Sequence, residues 1–378
     1  MKKILIVSFS HIRSDPRVMR QIRLLEPLFD ISVVGFGEKP DANIRFMQLE
    51  NYQSGKFNKL FQGLLLLLGL FEARYWHLPY VQQAASLLDV NGYDLFIAND
   101  VSALPLLYKI KHNIPVIIDA HEYSPREFEE SLLWRVTLGR YNHFLCKKYL
   151  KRATFMTTVC QGIADEYQRQ YGISSKVVYS APSFKNLAPS RVDKRKIRLI
   201  HHGACIRARH LETMIDMMKH LDNRFTLDFM LTNSDPAYLA QLRSLASSDK
   251  RINFLDPVPM EEICRIINRY DVGIYILPPA NFNHKHALPN KFFEFMQASL
   301  MIAIGPSPEM AELVNRHTLG VVADGFEPQR LASALNKLTT ENLTKFKQAS
   351  FQSAKEINAE NQGKVMINAV QSILSQQI

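Results

Sequence analysis

Short runs of apolar, often β-branched residues alternate along this chain with longer stretches whose apolar positions recur every three or four residues. In the first half Lys3–Ser8, Ile31–Gly35, Asp94–Ala98, Val116–Asp119, Phe155–Val159 and Lys176–Ser180 read as strands. In the second half Ile197–His202, Thr226–Leu231, Arg251–Phe254, Val272–Leu277, Met301–Ile304 and Gly320–Ala323 repeat the rhythm. Such alternation is the mark of a parallel α/β architecture. Each run ends in, or leads into, small or polar residues. Loops would emerge there at the carboxyl edge of a sheet, where open α/β folds bind ligands.

Between Ala188 and Lys196 the chain turns polar and basic and reads as a linker. From about Thr340 onward it carries no strand signal and reads as helical to the end. The pattern therefore predicts two Rossmann-like, doubly wound α/β domains, 1–186 and 197–350, facing each other across a cleft, with a helical segment 351–378. A length of 378 residues suits two such cores.

Composition narrows the function classes. Hydrophobic residues make up 47% and charged residues 22%, which excludes a disordered chain. Cys146, Cys160, Cys205 and Cys264 form no CxxC pair and no Cys/His run, so neither a zinc site nor a disulfide framework is expected. They fit a reducing cytosol, and the expected location is cytoplasmic. The apolar run Ile4–Val7 is too short for a signal peptide and reads as a buried first strand. The run around Leu64–Leu68, broken by Gly63 and Gly69, is too short to span a bilayer, which needs roughly 20 residues. Lys and Arg number 46 against 36 Asp and Glu, a formal charge of +10. That excess favours an anionic membrane surface and phosphorylated ligands. No aromatic-interleaved basic stripe is present, so nucleic acid is not an expected partner.

Four segments carry candidate chemistry. The loop Ser8–Arg17 follows the first strand, and Ser14-Asp15-Pro16 reads as a helix start, with Asp15 as cap and proline in the first turn. Its Ser10, His11, Asp15 and Arg17 either serve a ligand or only cap and solvate. Asp119-Ala120-His121-Glu122-Tyr123 places polar groups at a strand end, where His121 could bond a substrate hydroxyl or move a proton. In His201–Glu212 a strand runs into Gly203 and then Arg207 and Arg209, either of which could grip a diphosphate. With one glycine only, this is no nicotinamide or flavin fingerprint. In His286–Ala298 Pro289 can sit in the first turn of a helix, so that Lys291 and Glu294 lie one turn apart, near its positive end. The carboxylate could accept ribose hydroxyls while the lysine meets phosphate. The competing reading is a surface Lys–Glu pair.

Together these segments resemble the GT-B glycosyltransferases, in particular the large retaining family numbered four. The most specific part of the resemblance is Leu288-Pro-Asn-Lys-Phe-Phe-Glu294, followed by Met301–Ile304 and Pro308–Val314. The Ser14–Arg17 and Asp119–Glu122 loops are similar to that family's acceptor-side loops. The resemblance implies that Glu294 binds the ribose, that Gly203, Arg207, Arg209, Asn290 and Lys291 form the rest of the nucleotide site, and that His121 contacts the donor sugar. His121, Arg209 and Lys291 are thereby the expected catalytic groups, with Ser10, His11, Asp15, Arg17 and Glu122 on the acceptor side. It also implies a final helix, from about Phe351, that crosses back to the first domain. His286 stands where the family often carries a second glutamate.

The implied reaction moves a sugar from a nucleoside diphosphate, a UDP-sugar by family frequency, to an acceptor hydroxyl. No DxD pair ends a strand of the first half, so the expectation is a metal-independent transfer that needs no cofactor. The acceptor would be a glycan or a polyprenyl- or lipid-linked sugar in polysaccharide, capsule or lipopolysaccharide synthesis. Lys56–Trp76 and the basic stretch from Trp134 through Arg135, Arg140, Lys147, Lys148, Lys151 and Arg152 could form a face resting on anionic lipid, or be core helices with solvated lysines. The rival functions are a GT-B sugar-nucleotide epimerase and a non-catalytic scaffold.

Overall fold

The computed structural model describes residues 1–51, 55–88, 92–110 and 113–376. The chain divides into two compact units. One comprises Met1–Tyr179, Asn281–Asn283 and Gln362–Ile378; the other comprises Ser180–Ala280 and His284–Asn361.

The first unit is built on β1 (Lys3–His11), β2 (Asp30–Phe36), β3 (Arg45–Leu49), β4 (Leu95–Asn99), β5 (Val116–Ala120), β6 (Phe155–Thr158) and β7 (Lys176–Val177). Their order in the sheet is β3-β2-β1-β4-β5-β6-β7, with every neighbouring pair parallel. The second unit carries β8 (Ile197–Ala204), β9 (Phe225–Thr232), β10 (Ile252–Leu255), β11 (Val272–Tyr275), β12 (Met301–Ile304) and β13 (Gly320–Val322). Their order is β10-β9-β8-β11-β12-β13, again all parallel. Both are doubly wound sheets, as the alternation of apolar runs and helices predicts. The strand order reverses between β1 and β4 in one unit and between β8 and β11 in the other. Ligands bind at such switch points, beyond the carboxyl ends of the strands.

The central strands are apolar on both faces because helices cover both. In the first unit Ile4, Ile6, Val33, Ile97 and Ile117 pack with Val18 and Ile22 of the helix Pro16–Leu25. In the second, Leu199, Leu227, Phe229 and Ile274 pack with Met214, Met217 and Leu242. Each fully buried side chain of this size contributes about 1.5–3 kcal/mol.

Four features differ from the sequence reading. The edge strand β3 was not anticipated. Its half-exposed alternation buries only Met47 and Leu49, too weak a signal against the polar residues around it. β1 continues past Ser8 to His11 through a register irregularity, so Ser8 and Ser10 lie on the strand, and the turn Ile12–Ser14 replaces the expected loop. The stretch 188–196 does not hang free as a linker. Ser190 Oγ accepts from buried Lys347 at 2.8 Å, and Ala188 O accepts from Asn268 at 3.0 Å, all within the second unit. Of the tail, helix Thr340–Glu356 belongs to the second unit, and the helix that crosses back is Ala359–Ser375. Its Met366, Val370 and Leu374 complete the first unit's core. Gly363 allows the close approach, since a Cβ there would lie 2.4 Å from Leu24. Residues 377–378 of the expected C-terminal segment lie outside the described residues.

Candidate functional site

In the second unit the site grows from the end of β8. Gly203 has φ +123°, a conformation that L side chains rarely adopt, and a Cβ there would sit 3.3 Å from Lys291 Nζ. Glycine lets the strand end approach that ammonium. Lys291 is buried on the first turn of the helix Asn290–Gln297, whose residues 291–297 are all buried. The surface Lys–Glu alternative is therefore excluded. Pro289 lies one position before the helix, not in its first turn, and no side chain caps the helix start. Its first N–H groups can serve an anion.

The partners of Lys291 are specific. His201 Nδ1 donates to Ile274 O at 2.9 Å, which fixes the tautomer and leaves Nε2 to accept from Lys291 Nζ at 3.1 Å. The Tyr275 ring lies 4.4 Å from the same ammonium and stacks on His201. Burial and then the Arg209 charge hold the Lys291 pKa well below its usual value, with Glu294 acting in the opposite sense. Burial, with Lys291 second, pushes His202 down to about 3. Neutral His202 has Nε2 3.5 Å from Glu294 Oε2, too far for a good hydrogen bond, and finds no other partner. Desolvation disfavours the ammonium form of Lys291, and an anion beside it would favour that form.

Arg207 and Arg209, equivalent in the sequence reading, part company here. Arg207 is exposed, pairs with Asp235 at 3.2 Å, bonds Gln241 at 2.9 Å and lies over Tyr238, so the structure does not bring it to Lys291. Two positions on, in the turn Arg207–Arg209, Arg209 is the arginine whose charge bears on Lys291 and His201. His286 Nδ1 lies 2.8 Å from Glu309 Oε1, so a carboxylate from the helix Pro308–His317 accompanies the histidine.

In the first unit the centre is Asp119, at the end of β5. Burial alone would raise its pKa, but Arg17 holds it far below the usual carboxylate range. Arg17 Nε donates to it at 2.7 Å, Nη2 makes a second contact, and Nη1 reaches Val178 O at 2.9 Å. Arg17 was expected on the acceptor side. It is instead buried, with its guanidinium on Asp119 and Val178 O. Thr157 Oγ1 and Gln21 Nε2 also donate to Asp119, at 2.6 and 2.5 Å.

A relay runs outward from that carboxylate. Gln21 Oε1 accepts from Asn99 Nδ2 at 3.1 Å, and Asn99 Oδ1 lies 3.2 Å from His121 Nε2. With its amide oriented by Gln21, Asn99 presents an acceptor, which selects the Nε2–H tautomer of His121. Asp100 accepts from the His121 backbone N–H at 2.8 Å, and its other oxygen faces Nδ1 at 3.7 Å. Asp100 has φ 65° and ψ 162°, a strained conformation for a residue with a Cβ. Glu122 and Glu127 stand close to it. Burial first, then the neighbouring carboxylates, pushes Glu122 up to about 7, and burial with Asp100 does the same for Glu127. Asp15 caps the helix Pro16–Leu25 as expected, accepting from Arg17 N and Val18 N, and Ser10 donates to it at 2.8 Å. Both are spent on local structure. His11 is exposed beside Phe36.

Sequence reasoning passed over Asn99, Asp100, Gln21, Tyr275 and the role of His201. All but Gln21 lie on or just beyond β4, β8 and β11, strands that flank the two switch points. That placement, rather than any motif, is the signal that could have found them. Among the described residues no group of three or more His, Cys, Asp or Glu is placed to hold a metal ion.

Two doubly wound parallel units, with a last helix returning to the first, constitute the GT-B architecture of glycosyltransferases. Residues 58–183 match the model of the family described as Glycosyltransferase Family 4. HepE of Anabaena, solved in complex with UDP and glucose, is similar with a TM-score of 0.70 and 17% identity, over 98% of this chain and 100% of that one. Sucrose-phosphate synthase from Thermosynechococcus elongatus gives 0.73 at 12% identity, over 100% of both chains. An α,α-trehalose 6-phosphate synthase from Burkholderia multivorans gives 0.66 at 9% identity, again over 100% of both. No curated protein sequence matches. The resemblance drawn from the motifs is borne out: the fold is GT-B, and the first half carries the family model.

Proposed function

We propose that the protein is a glycosyltransferase that moves a sugar from a nucleoside diphosphate, preferably UDP, to a hydroxyl of a glycan or lipid-linked acceptor. The observation that carries this reading is the buried, desolvated Lys291 at a helix start, braced by His201 and Tyr275, with Arg209 and Glu294 beside it. Such a group is poorly stabilised until an anion arrives. Arg209, Lys291 and the free N–H groups of Asn290 and Lys291 would bind the diphosphate and stabilise the charge that builds on it as the glycosidic bond breaks. Glu294 would accept the ribose hydroxyls, and His121 would bond the donor sugar through a ring held by Asn99 and Asp100. The similarity to the UDP-bound HepE structure supports uridine as the base.

In the proposed reaction these cations replace a divalent metal, and configuration is retained, with the leaving phosphate taking the acceptor proton. The setting would be cell-surface polysaccharide, capsule or lipopolysaccharide synthesis at the cytoplasmic face of a membrane. No helix among the described residues is long and apolar enough to cross one, so attachment would be peripheral.

A thermal-shift panel with UDP, GDP, dTDP and CMP in EDTA tests the reading. A ligand at about 100 times its Kd stabilises by roughly 2.7 kcal/mol. One diphosphate should raise the midpoint of the wild type and leave Glu294→Ala unmoved. Indifference to every nucleotide would point to the non-catalytic scaffold instead.

A further inference from the structure

Two adjacent histidines stand near the end of β8, and each meets one charged residue of the helix Asn290–Gln297. His201 has both ring nitrogens engaged, one with Ile274 O and the other with Lys291 Nζ. His202 lies against Glu294 instead, with Nε2 3.5 Å from Oε2. That residue is only 2% exposed, and its Nε2 is shielded from solvent with no hydrogen-bond partner among the described residues. A buried polar nitrogen left unpaired costs stability, so its presence calls for a reason.

Its surroundings supply one. The ring of Phe295, the residue after Glu294, meets the His202 imidazole edge to face, with centroids 5.2 Å apart, and so fixes its plane. Burial, with Lys291 second, pushes the His202 pKa down to about 3, which leaves the ring neutral near pH 7. A carboxylate oxygen only accepts, so the tautomer that suits this neighbour carries its proton on Nε2. The N–H then stands about half an ångström beyond a normal hydrogen bond to Glu294. Rotation of the Glu294 side chain can close that gap and make a charge-assisted bond.

We infer that His202 is a positioning residue for the nucleotide site: its Nε2–H bonds Oε2 of Glu294 when a nucleotide binds, and so holds that carboxylate where it accepts the ribose hydroxyls. The inference rests on the proposed role of Glu294 and adds the group that aims it. His202 acts through Glu294 and touches no ligand, because its Nε2 is shielded from solvent. Without it, the carboxylate would have to be ordered at each binding event, at a cost in affinity.

Calorimetric titration of the full chain tests it, with UDP and with the UDP analogue that lacks both ribose hydroxyls. The analogue, held through its diphosphate, should bind wild type more weakly than UDP does. His202→Leu should weaken UDP about tenfold, as loss of a hydrogen bond to a charged group does, and should leave the Kd of the analogue unchanged. His202→Gln, which can place an amide N–H near the same point, should recover most of that loss. Free His202→Leu should melt no lower than wild type, since it loses a polar group that was unpaired, and a merely structural histidine would not separate the two ligands in this way. Unchanged UDP affinity in His202→Leu, or an equal loss for UDP and the analogue, overturns the inference and leaves the nucleotide reading standing. Equal binding of the two ligands by wild type overturns it as well, since Glu294 would then read no ribose. A wild type that binds neither ligand sinks the nucleotide reading and this inference together.

Discussion

The two units share one strand order and use it for opposite electrostatics. At the carboxyl edge of the first sheet stand four carboxylates, Asp100, Asp119, Glu122 and Glu127, around one histidine. At the equivalent edge of the second stand Lys291 and Arg209, two histidines kept neutral by burial, and a single glutamate. The scaffold specifies where a ligand sits, and the side chains specify its sign. In the first unit the central ion pair is turned inward: Asp119 accepts from three side chains, and all three Arg17 nitrogens bond to Asp119 or to Val178 O. In the second, the central lysine has a neutral histidine and a ring for partners, which hold it in place without supplying a counter-charge.

That contrast predicts different consequences for removing each centre. Asp119→Ala should cost about 3–5 kcal/mol of stability, because it leaves the Arg17 guanidinium buried without its carboxylate. Urea denaturation of the purified variant measures this, and a loss under 1 kcal/mol would show that the network is not structural. Lys291→Met should behave in the opposite way. Exchange of a desolvated ammonium for a thioether of similar size should leave stability unchanged or raise it, while kcat/KM for a UDP-sugar falls about 10²–10³-fold, or roughly 3–4 kcal/mol of transition-state stabilisation. A destabilised Lys291→Met enzyme with intact turnover would erase the distinction between the two edges. Gly203→Ala is the intermediate case. With φ at +123° and the new Cβ 3.3 Å from Lys291 Nζ, it should lose about 1–3 kcal/mol and displace the ammonium, so that nucleotide affinity falls along with the melting midpoint.

How much of this was legible beforehand depended on whether the signal was local. Paired runs such as Ile4–Val7 and Ile302–Ile304 are apolar because both faces of their sheets are covered, and that shows in the sequence without further context. The edge strand β3 does not show, since only Met47 and Leu49 face inward. Helix capping by Asp15 was legible because its partners are two and three residues away. Arg17 was not: its carboxylate is 102 residues distant, and nothing near it in sequence distinguishes a buried guanidinium from a solvated one. Arg207 and Arg209 were indistinguishable for a related reason. Arg207 is turned away by its pairing with Asp235, which is remote in sequence. The strain at Asp100 was hidden too, because the usual marker of a positive φ is glycine, and here an aspartate accepts the strain while its side chain holds the His121 backbone.

The smallest expected effect concerns pH, and here the two edges should again differ in sign. Glu122 and Glu127 have folded-state pKa values raised to about 7 from an ordinary value of 4.5. Their protonated forms are favoured in the folded state, so their contribution to stability is fully present below about pH 4.5 and is lost as the pH rises through 7. Lys291 is held below its unfolded value, so its ammonium form is disfavoured by folding. Its penalty applies at neutral pH and lifts as the pH climbs toward 10. The melting midpoint of the wild type relative to that of Glu122→Gln should therefore decline between pH 5 and 8. UDP binding should raise the depressed Lys291 pKa, so that binding draws protons from buffer over the range in which the free group titrates, seen as a calorimetric enthalpy that varies with buffer ionisation, and Lys291→Met should abolish that dependence. Proton uptake that survives in Lys291→Met but disappears in Glu122→Gln would place the titrating group on the acidic edge, and would assign the anion to the wrong unit.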